Sequence, residues 1–91
     1  MTVTIDPTHA VPRMAERGAT RADVEYAVRH GTRSPAMYGR TCFTHTFAYN
    51  RKRLGKLYSH KSVLAYAVAK PPDEWLVVTV VVKYFNRGRR K

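Results

Sequence analysis

The sequence has a single cysteine, no long hydrophobic run and no glycine-rich phosphate loop. Cys42 cannot form a disulfide within the chain, so a reducing cytoplasm is the expected compartment. The longest apolar stretch, 76–82, is too short to cross a bilayer, and polar residues interrupt the first six positions, which argues against a signal peptide. We therefore expect a cytoplasmic protein with no membrane partner.

Acidic residues are scarce, and their scarcity is local. The chain carries 17 Lys and Arg against 6 Asp and Glu, which gives a formal net charge of +11 and a pI of about 10.4. Residues 26–72 contain basic side chains and no carboxylate. A solvated basic surface is one interpretation of such a segment. Because the segment is long and the domain small, the charge favours a nucleic-acid ligand instead.

The stretch "HAVPRMAERGATRADVEYAVRHG", residues 9–31, predicts two short helices near 9–17 and 21–30. Gly18 is expected to end the first helix, and Thr20 with Asp23 to form a capping box at the start of the second. The residues expected to be buried on the first helix are Val11, Met14 and Ala15.

The periodicity then changes to two, which is typical of strands. Strands are predicted near 41–49, 62–69 and 75–84, with a possible short strand at 56–59. The β-branched segment 75–84 is expected to be a central strand covered on both faces. The predicted fold is α+β: two N-terminal helices packed on a three- to four-stranded antiparallel meander sheet. One domain would cover 1–86, followed by a frayed basic tail at 87–91.

The first helix and the last strand resemble the small bacterial domain-of-unknown-function family 4258. The ending "WLVVTVVVKY" is similar to that family's terminal strand, and the resemblance covers most of the chain in order and spacing. It implies the RelE/BrnT-like arrangement of microbial ribonuclease toxins. The specific identities are His9, Ala10, Arg13, Met14, Arg17 and Gly18.

Cleavage of RNA by its own 2′-hydroxyl requires a base to remove the hydroxyl proton, an acid for the 5′-oxygen and cations around the phosphorus, but no metal ion. His9, Arg13 and Arg17 are spaced four apart on one helix face, without a carboxylate partner at that spacing. The two arginines would hold the phosphate and His9 would move a proton. Lys83 would join them from the open face of the sheet. Alternatively, the row is a solvated helix edge, His9 caps the helix, and Lys83 only reaches water.

Further basic and aromatic side chains would bind the nucleic acid outside the catalytic row. His45 is also consistent with a histidine at the margin of the core. Cys42 and His45 form one C-x-x-H pair, whereas zinc sites usually need two pairs, so no metal and no other cofactor is expected. The expected nucleic-acid-binding residues are Arg40, His45, Arg51, Lys52, Arg53, Lys56, Lys61 and Tyr84.

The resemblance, together with these patterns, predicts a metal-independent endoribonuclease toxin of a toxin–antitoxin pair. Its expected partners are RNA, including mRNA on the ribosome, and an acidic antitoxin protein. Two alternatives stay open: a non-enzymatic RNA- or DNA-binding module, and an interaction domain for an acidic protein. A neighbouring reading frame encoding a small acidic or DNA-binding protein would favour the toxin.

Overall fold

The computed structural model, which describes residues 1–87, places two helices against a five-stranded sheet. Helix α1 spans Ala10–Arg17 and helix α2 spans Arg21–His30. The sheet has the order β1-β5-β4-β3-β2. Its strands are β1 (Thr2–Ile5), β2 (Thr32–Pro35), β3 (Thr41–Arg53), β4 (Lys56–Lys70) and β5 (Glu74–Phe85), with a short 3-10 turn at Met37–Gly39.

Both predicted helices are confirmed, with the caps that their sequences indicate. The Thr20 hydroxyl accepts the Asp23 N–H at 3.0 Å and the Asp23 carboxylate accepts the Thr20 N–H at 3.1 Å, which completes the capping box. Gly18 ends α1 in the left-handed conformation, with φ of 82°. The buried stripe of α1 differs from the prediction, because it consists of Ala10 and Met14 while Val11 is 43% exposed. Neither helix formed by residues 1–87 is long and apolar enough to cross a membrane.

The predicted three- to four-stranded antiparallel meander is wrong in strand number and in direction. Strands β3, β4 and β5 do pair antiparallel in chain order, but β1 and β2 extend the sheet at its two edges. Strand β1 runs parallel to β5, with Thr2 opposite Glu74 and Ile5 opposite Val77, so the sheet is mixed. Strand β2 ("TRSP") has no apolar face to bury, and all four of its residues are exposed. Its sequence is therefore that of a turn.

A β-bulge in β5 shifts the alternation of its side chains by one residue, so that odd-numbered residues face the core before the bulge and even-numbered residues face it afterwards. Val77 and Thr79 pair with successive residues of β4, which leaves Val78 as an extra residue. Val77 and Val80 are both fully buried, although simple alternation would place them on opposite faces. Lys83 then lies on the face away from Val80 and is exposed, as predicted.

The core lies between the helices and one face of the sheet. Val24 and Val28 of α2 and Met14 of α1 pack there against side chains of all three long strands. The largest fully buried side chains are Phe43, Val24, Val63, Val77 and Val80. The other face of β5 was predicted to be covered, but both described helices lie on the core side. That open face positions the site described below.

Strands β3 and β4 continue beyond the end of β5 as a two-stranded arm, residues 51–57. Strand β4 pairs with β5 only from His60 onward, whereas its pairing with β3 extends to the turn. The turn residues Leu54 and Gly55 both have left-handed φ, at 53° and 82°, as a type I′ hairpin requires. Leu54 is 95% exposed at the tip. At the other end of the chain, the N–H of Arg87 donates to Ser59 Oγ at 2.9 Å; the rest of the predicted tail lies outside the described residues.

Candidate functional site

The segment before α1 forms a tight turn that joins an acid to a histidine. Asp6 Oδ1 accepts the N–H of Thr8 at 3.0 Å, and Asp6 Oδ2 lies 3.2 Å from Nδ1 of His9. The hydrogen bond from the Thr8 backbone and then that from His9 lower the pKa of Asp6 below its ordinary 3.8. The carboxylate is therefore charged at neutral pH and accepts a hydrogen bond from the Nδ1–H of His9. In the neutral imidazole this leaves the lone pair on Nε2 of His9, whose side chain is 76% exposed.

His9 lines a cleft of about 400 Å³ beside the bulge of β5. Arg13 enters it from α1, and Arg40 enters it from the loop that precedes β3. The cleft thus brings together one histidine and two guanidinium groups from segments far apart in sequence. We call it the His9 cleft; its lining residues are Asp6, His9, Arg13, Arg40, Val78 and Thr79.

No carboxylate lies four residues from a member of this row, as predicted, but carboxylate partners do lie at a spacing of three. His9 pairs with Asp6, and Arg13 Nη1 lies 3.6 Å from Glu16 Oε1. The Arg13 side chain remains 52% exposed, and an ion pair of this length at a surface holds it weakly. Arg13 can therefore turn toward an anion in the cleft.

Arg17 does not line the cleft with His9 and Arg13, because its side chain bonds to the sheet instead. Its Nη1 donates to the carbonyl of Val80 at 2.7 Å, and its side chain is half-buried. Strand β1 pairs with β5 only as far as Val77, so beyond that residue this edge of β5 has no strand partner among the described residues. The guanidinium satisfies a carbonyl that a neighbouring strand would otherwise bind. Arg17 is thus not the exposed phosphate ligand that its helical spacing predicts.

Lys61, a predicted nucleic-acid ligand, is buried at 8% exposure. Its Nζ donates to the carbonyl of Gly18 at 3.0 Å and to Asp23 Oδ2 at 2.8 Å. Burial alone would raise the pKa of Asp23, but the hydrogen bonds from Lys61 and from the Thr20 N–H outweigh it and lower the pKa below 3.8. Lys61 therefore holds the turn between the helices against the sheet.

The ion pair between Lys61 and Asp23 makes the free energy of unfolding depend on pH in the acid range. Because the pKa of Asp23 is lowered by folding, its stabilising contribution is complete above about pH 3.8 and is lost as the pH falls through the lower folded value. We expect the free energy of unfolding, measured by urea denaturation between pH 5 and pH 2, to fall less steeply in Asp23→Asn than in the wild type. Lys61→Met should also flatten the profile, because it removes the group that lowers the Asp23 pKa. Identical slopes in all three proteins would contradict the assignment.

Tyr84 and Arg53, also predicted to bind nucleic acid, meet over the same turn. Tyr84 Oη donates to the carbonyl of Arg17 at 2.6 Å. Arg53 Nη2 donates to the carbonyl of Glu16 at 2.7 Å, and its guanidinium lies 4.7 Å from the centroid of the Tyr84 ring. A side chain at Gly18 would collide with Tyr84 Oη and would lie 2.9 Å from Arg53 Nη1. Both residues are thus engaged with the backbone of the fold.

His45 faces the helices rather than the open face of the sheet. Its ring lies 4.7 Å from the ring of Tyr26 in α2 and 4.7 Å from that of Phe47. Cys42, three residues earlier, lies on the opposite face, where it lines a second cavity. The C-x-x-H pair therefore points to two sides of the sheet, and His45 adopts the core-margin position.

The other predicted nucleic-acid residues do remain exposed to solvent. Arg51, Lys52 and Lys56 project from the arm. Lys83, which was predicted to be catalytic, is also exposed and lies on the open face, four residues along β5 from Thr79. Lys83 is not among the described residues that line either cavity. None of these four cations is among the residues that line the His9 cleft.

Asp6 is the cleft residue that sequence reasoning missed. The dipeptide Asp6-Pro7 is a turn-forming signal, and His9 lies three residues after Asp6. The turn that joins Asp6 to His9 could therefore have been predicted from the sequence. Arg40 was expected to bind nucleic acid, but its position beside His9 depends on the sheet register and leaves no local signal.

One family model matches residues 8–82, that of DUF4258, a domain of unknown function. The matched segment contains both helices and every residue that lines the His9 cleft except Asp6. No curated protein and no solved structure matches the chain. Because the match covers most of the sequence, the chain belongs to the DUF4258 family.

Proposed function

We propose that this protein binds RNA and cleaves it in the His9 cleft as a metal-independent endoribonuclease. The observation that supports this most is the meeting of His9, oriented by a charged carboxylate, with Arg13 and Arg40 in one open cleft. Cleavage by the 2′-hydroxyl uses a general base and phosphate ligands, and the His9 cleft offers both.

In the proposed reaction the 2′-oxygen attacks the adjacent phosphorus and the bond from phosphorus to the 5′-oxygen breaks. Nε2 of His9 takes the proton of the 2′-hydroxyl, and the Asp6 carboxylate stabilises the imidazolium that results. The 5′-oxygen takes its proton from water. Arg13 and Arg40 donate N–H groups to the non-bridging phosphate oxygens, where negative charge accumulates. The products are a 2′,3′-cyclic phosphate and a 5′-hydroxyl.

Residues outside the cleft would hold the flanking RNA. Arg51, Lys52 and Lys56 on the arm and Lys83 on the open face are exposed cations suited to backbone phosphates. Arg17 has no role in the proposed reaction, because its guanidinium is bound to the Val80 carbonyl.

The proposal includes the toxin–antitoxin setting that the RelE/BrnT-like resemblance implies. A net charge of +11 on so small a chain is offset in a complex with an acidic antitoxin, and release of that antitoxin would expose the cations to RNA. Messenger RNA, including mRNA on the ribosome, is the proposed substrate.

The test is to incubate the protein with end-labelled single-stranded RNA at several salt concentrations, following binding and cleavage together. We expect cleavage that yields 2′,3′-cyclic phosphate ends, persists in a chelator and fails where the attacking ribose is replaced by 2′-deoxyribose. We also expect a linear decrease of log affinity with log salt, at about 0.7 per phosphate bound. Expression in a bacterial host should arrest growth and create new transcript 5′ ends.

The same experiment separates the alternatives. Steep salt-dependent binding without any cleavage would indicate a non-enzymatic nucleic-acid-binding module. A flat salt dependence with weak binding would show that the positive charge serves an acidic protein partner instead.

A further inference from the structure

The open face of the sheet carries an apolar groove that continues into the His9 cleft. The groove measures about 610 Å³, within the range of small-ligand sites. Arg40 and Thr79 line both cavities, so the two spaces adjoin at these residues. We call it the sheet groove; its floor includes Cys42, Leu64, Tyr66 and Val81.

One wall of the sheet groove holds two large side chains out in solvent. Met37 is 72% exposed and Tyr38 is 83% exposed, both in the 3-10 turn before β3. Tyr38 has a left-handed backbone with φ of 62°, a conformation that bulky residues rarely adopt. Unusual backbone of this kind is concentrated at ligand sites, where it holds a side chain ready for contact.

Arg40 connects this aromatic wall to the cation cluster. Its guanidinium lies 5.7 Å from the centroid of the Tyr38 ring and also borders the His9 cleft. Going from cleft to groove, a ligand therefore meets positive charge first, then a planar cation, then an aromatic ring and an apolar floor. A nucleotide has the same order, with an anionic phosphate, a sugar and a flat base.

We propose that the sheet groove binds a nucleobase of the RNA whose phosphate occupies the His9 cleft, with the base stacked on Tyr38. This inference rests on the proposed function and adds to it a base-binding subsite. Stacking on an aromatic ring accepts any base, because each base has a π-face. The hydroxyl groups of Thr44 and Tyr66, which also line the groove, are donors and acceptors within the same space for the edge of the base.

The experiment compares two fluorescently labelled strands with equal numbers of phosphates, one carrying bases on 2′-O-methyl ribose and the other made of abasic units. Neither strand has a free 2′-hydroxyl, so binding is measured without cleavage. We expect Tyr38→Ala to weaken binding of the base-carrying strand by roughly 5- to 150-fold, the range that one stacked base supplies. Binding of the abasic strand should be unchanged. Tyr38→Phe keeps the ring and should retain wild-type affinity for both strands.

The outcomes distinguish this inference from the proposed function. If Tyr38→Ala affects both strands equally, or neither, the base subsite is overturned while RNA binding in the His9 cleft stands. If the wild-type chain binds neither strand, the proposed function and the subsite fail together. Because Tyr38 is 83% exposed, the variant should melt at the wild-type temperature, and this measurement excludes misfolding as the cause of lost affinity.

Discussion

We expect replacement of His9 with alanine to lower the rate of the proposed RNA cleavage by roughly two to four orders of magnitude, the usual effect of removing one acid–base group. RNA affinity should stay near the wild-type value, because Arg13 and Arg40, which also line the cleft, would still hold the phosphate. The melting temperature also changes little, since the His9 side chain is 76% exposed and makes no capping hydrogen bond among the described residues. Single-turnover cleavage of a labelled RNA, with binding measured in parallel, checks all three expectations.

Two matched variants show whether the loss comes from this histidine. In Asp6→Asn the amide oxygen can still accept the Thr8 N–H, but the amide nitrogen faces Nδ1 of His9 as a donor. The neutral ring then carries its proton on Nε2, so cleavage should fall while the turn survives. His30→Ala removes an exposed histidine that does not line the cleft and should cleave at the wild-type rate. If His9→Ala cleaves RNA at the wild-type rate, the His9 cleft is not the site of cleavage.

Gly18→Ala destabilises the fold by about 2–4 kcal/mol, through left-handed backbone strain and the loss of hydrogen bonds above the turn. The glycine has φ of 82°, and a Cβ there would collide with Tyr84 Oη and crowd the Arg53 guanidinium. To relieve the overlap, Tyr84 must release the carbonyl of Arg17. Urea denaturation measures the change as a lower midpoint at an unchanged slope.

The chain offers a control that separates strain from collision. Gly39 also has a positive φ, 70°, but a Cβ there would meet no described atom within 4 Å. Gly39→Ala should therefore cost only the conformational part, about 1 kcal/mol. Combining Gly18→Ala with Tyr84→Phe removes the hydroxyl and should recover part of the loss. If Gly18→Ala costs no more than Gly39→Ala, the crowding above Gly18 has no energetic weight.

The helices were predictable because their signals are local. The Thr20–Asp23 capping box and the glycine after α1 each depend on residues a few positions apart, and the structure has both. The edge strands were not predictable in this way. Strand β1 is only four residues long, and β2 has no apolar side chain facing the core. Their places are decided by the edges that β5 and β3 leave unpaired.

The candidate site was predictable only in part, because some of its residues are brought together by contacts between segments distant in sequence. Helical spacing correctly grouped His9 with Arg13, but it does not reveal whether a third side chain will meet a carbonyl, as Arg17 does. The extra residue Val78 shifts the alternation of β5, so face assignments made from one half of the strand fail in the other. Arg40 reaches the cleft through sheet register alone, which no short sequence pattern encodes.

The cations that hold backbone carbonyls divide the charge of this protein into two populations. Arg17, Arg53 and Lys61 add to the formal charge of +11, yet their N–H groups are already bound to the fold. Electrophoretic mobility reports the whole charge, whereas the salt dependence of binding reports only cations that displace counterions from a ligand. For this chain the two quantities should disagree, and the second should be the smaller. The basic side chains of such a domain therefore include some that stabilise the fold as well as some that attract a polyanion.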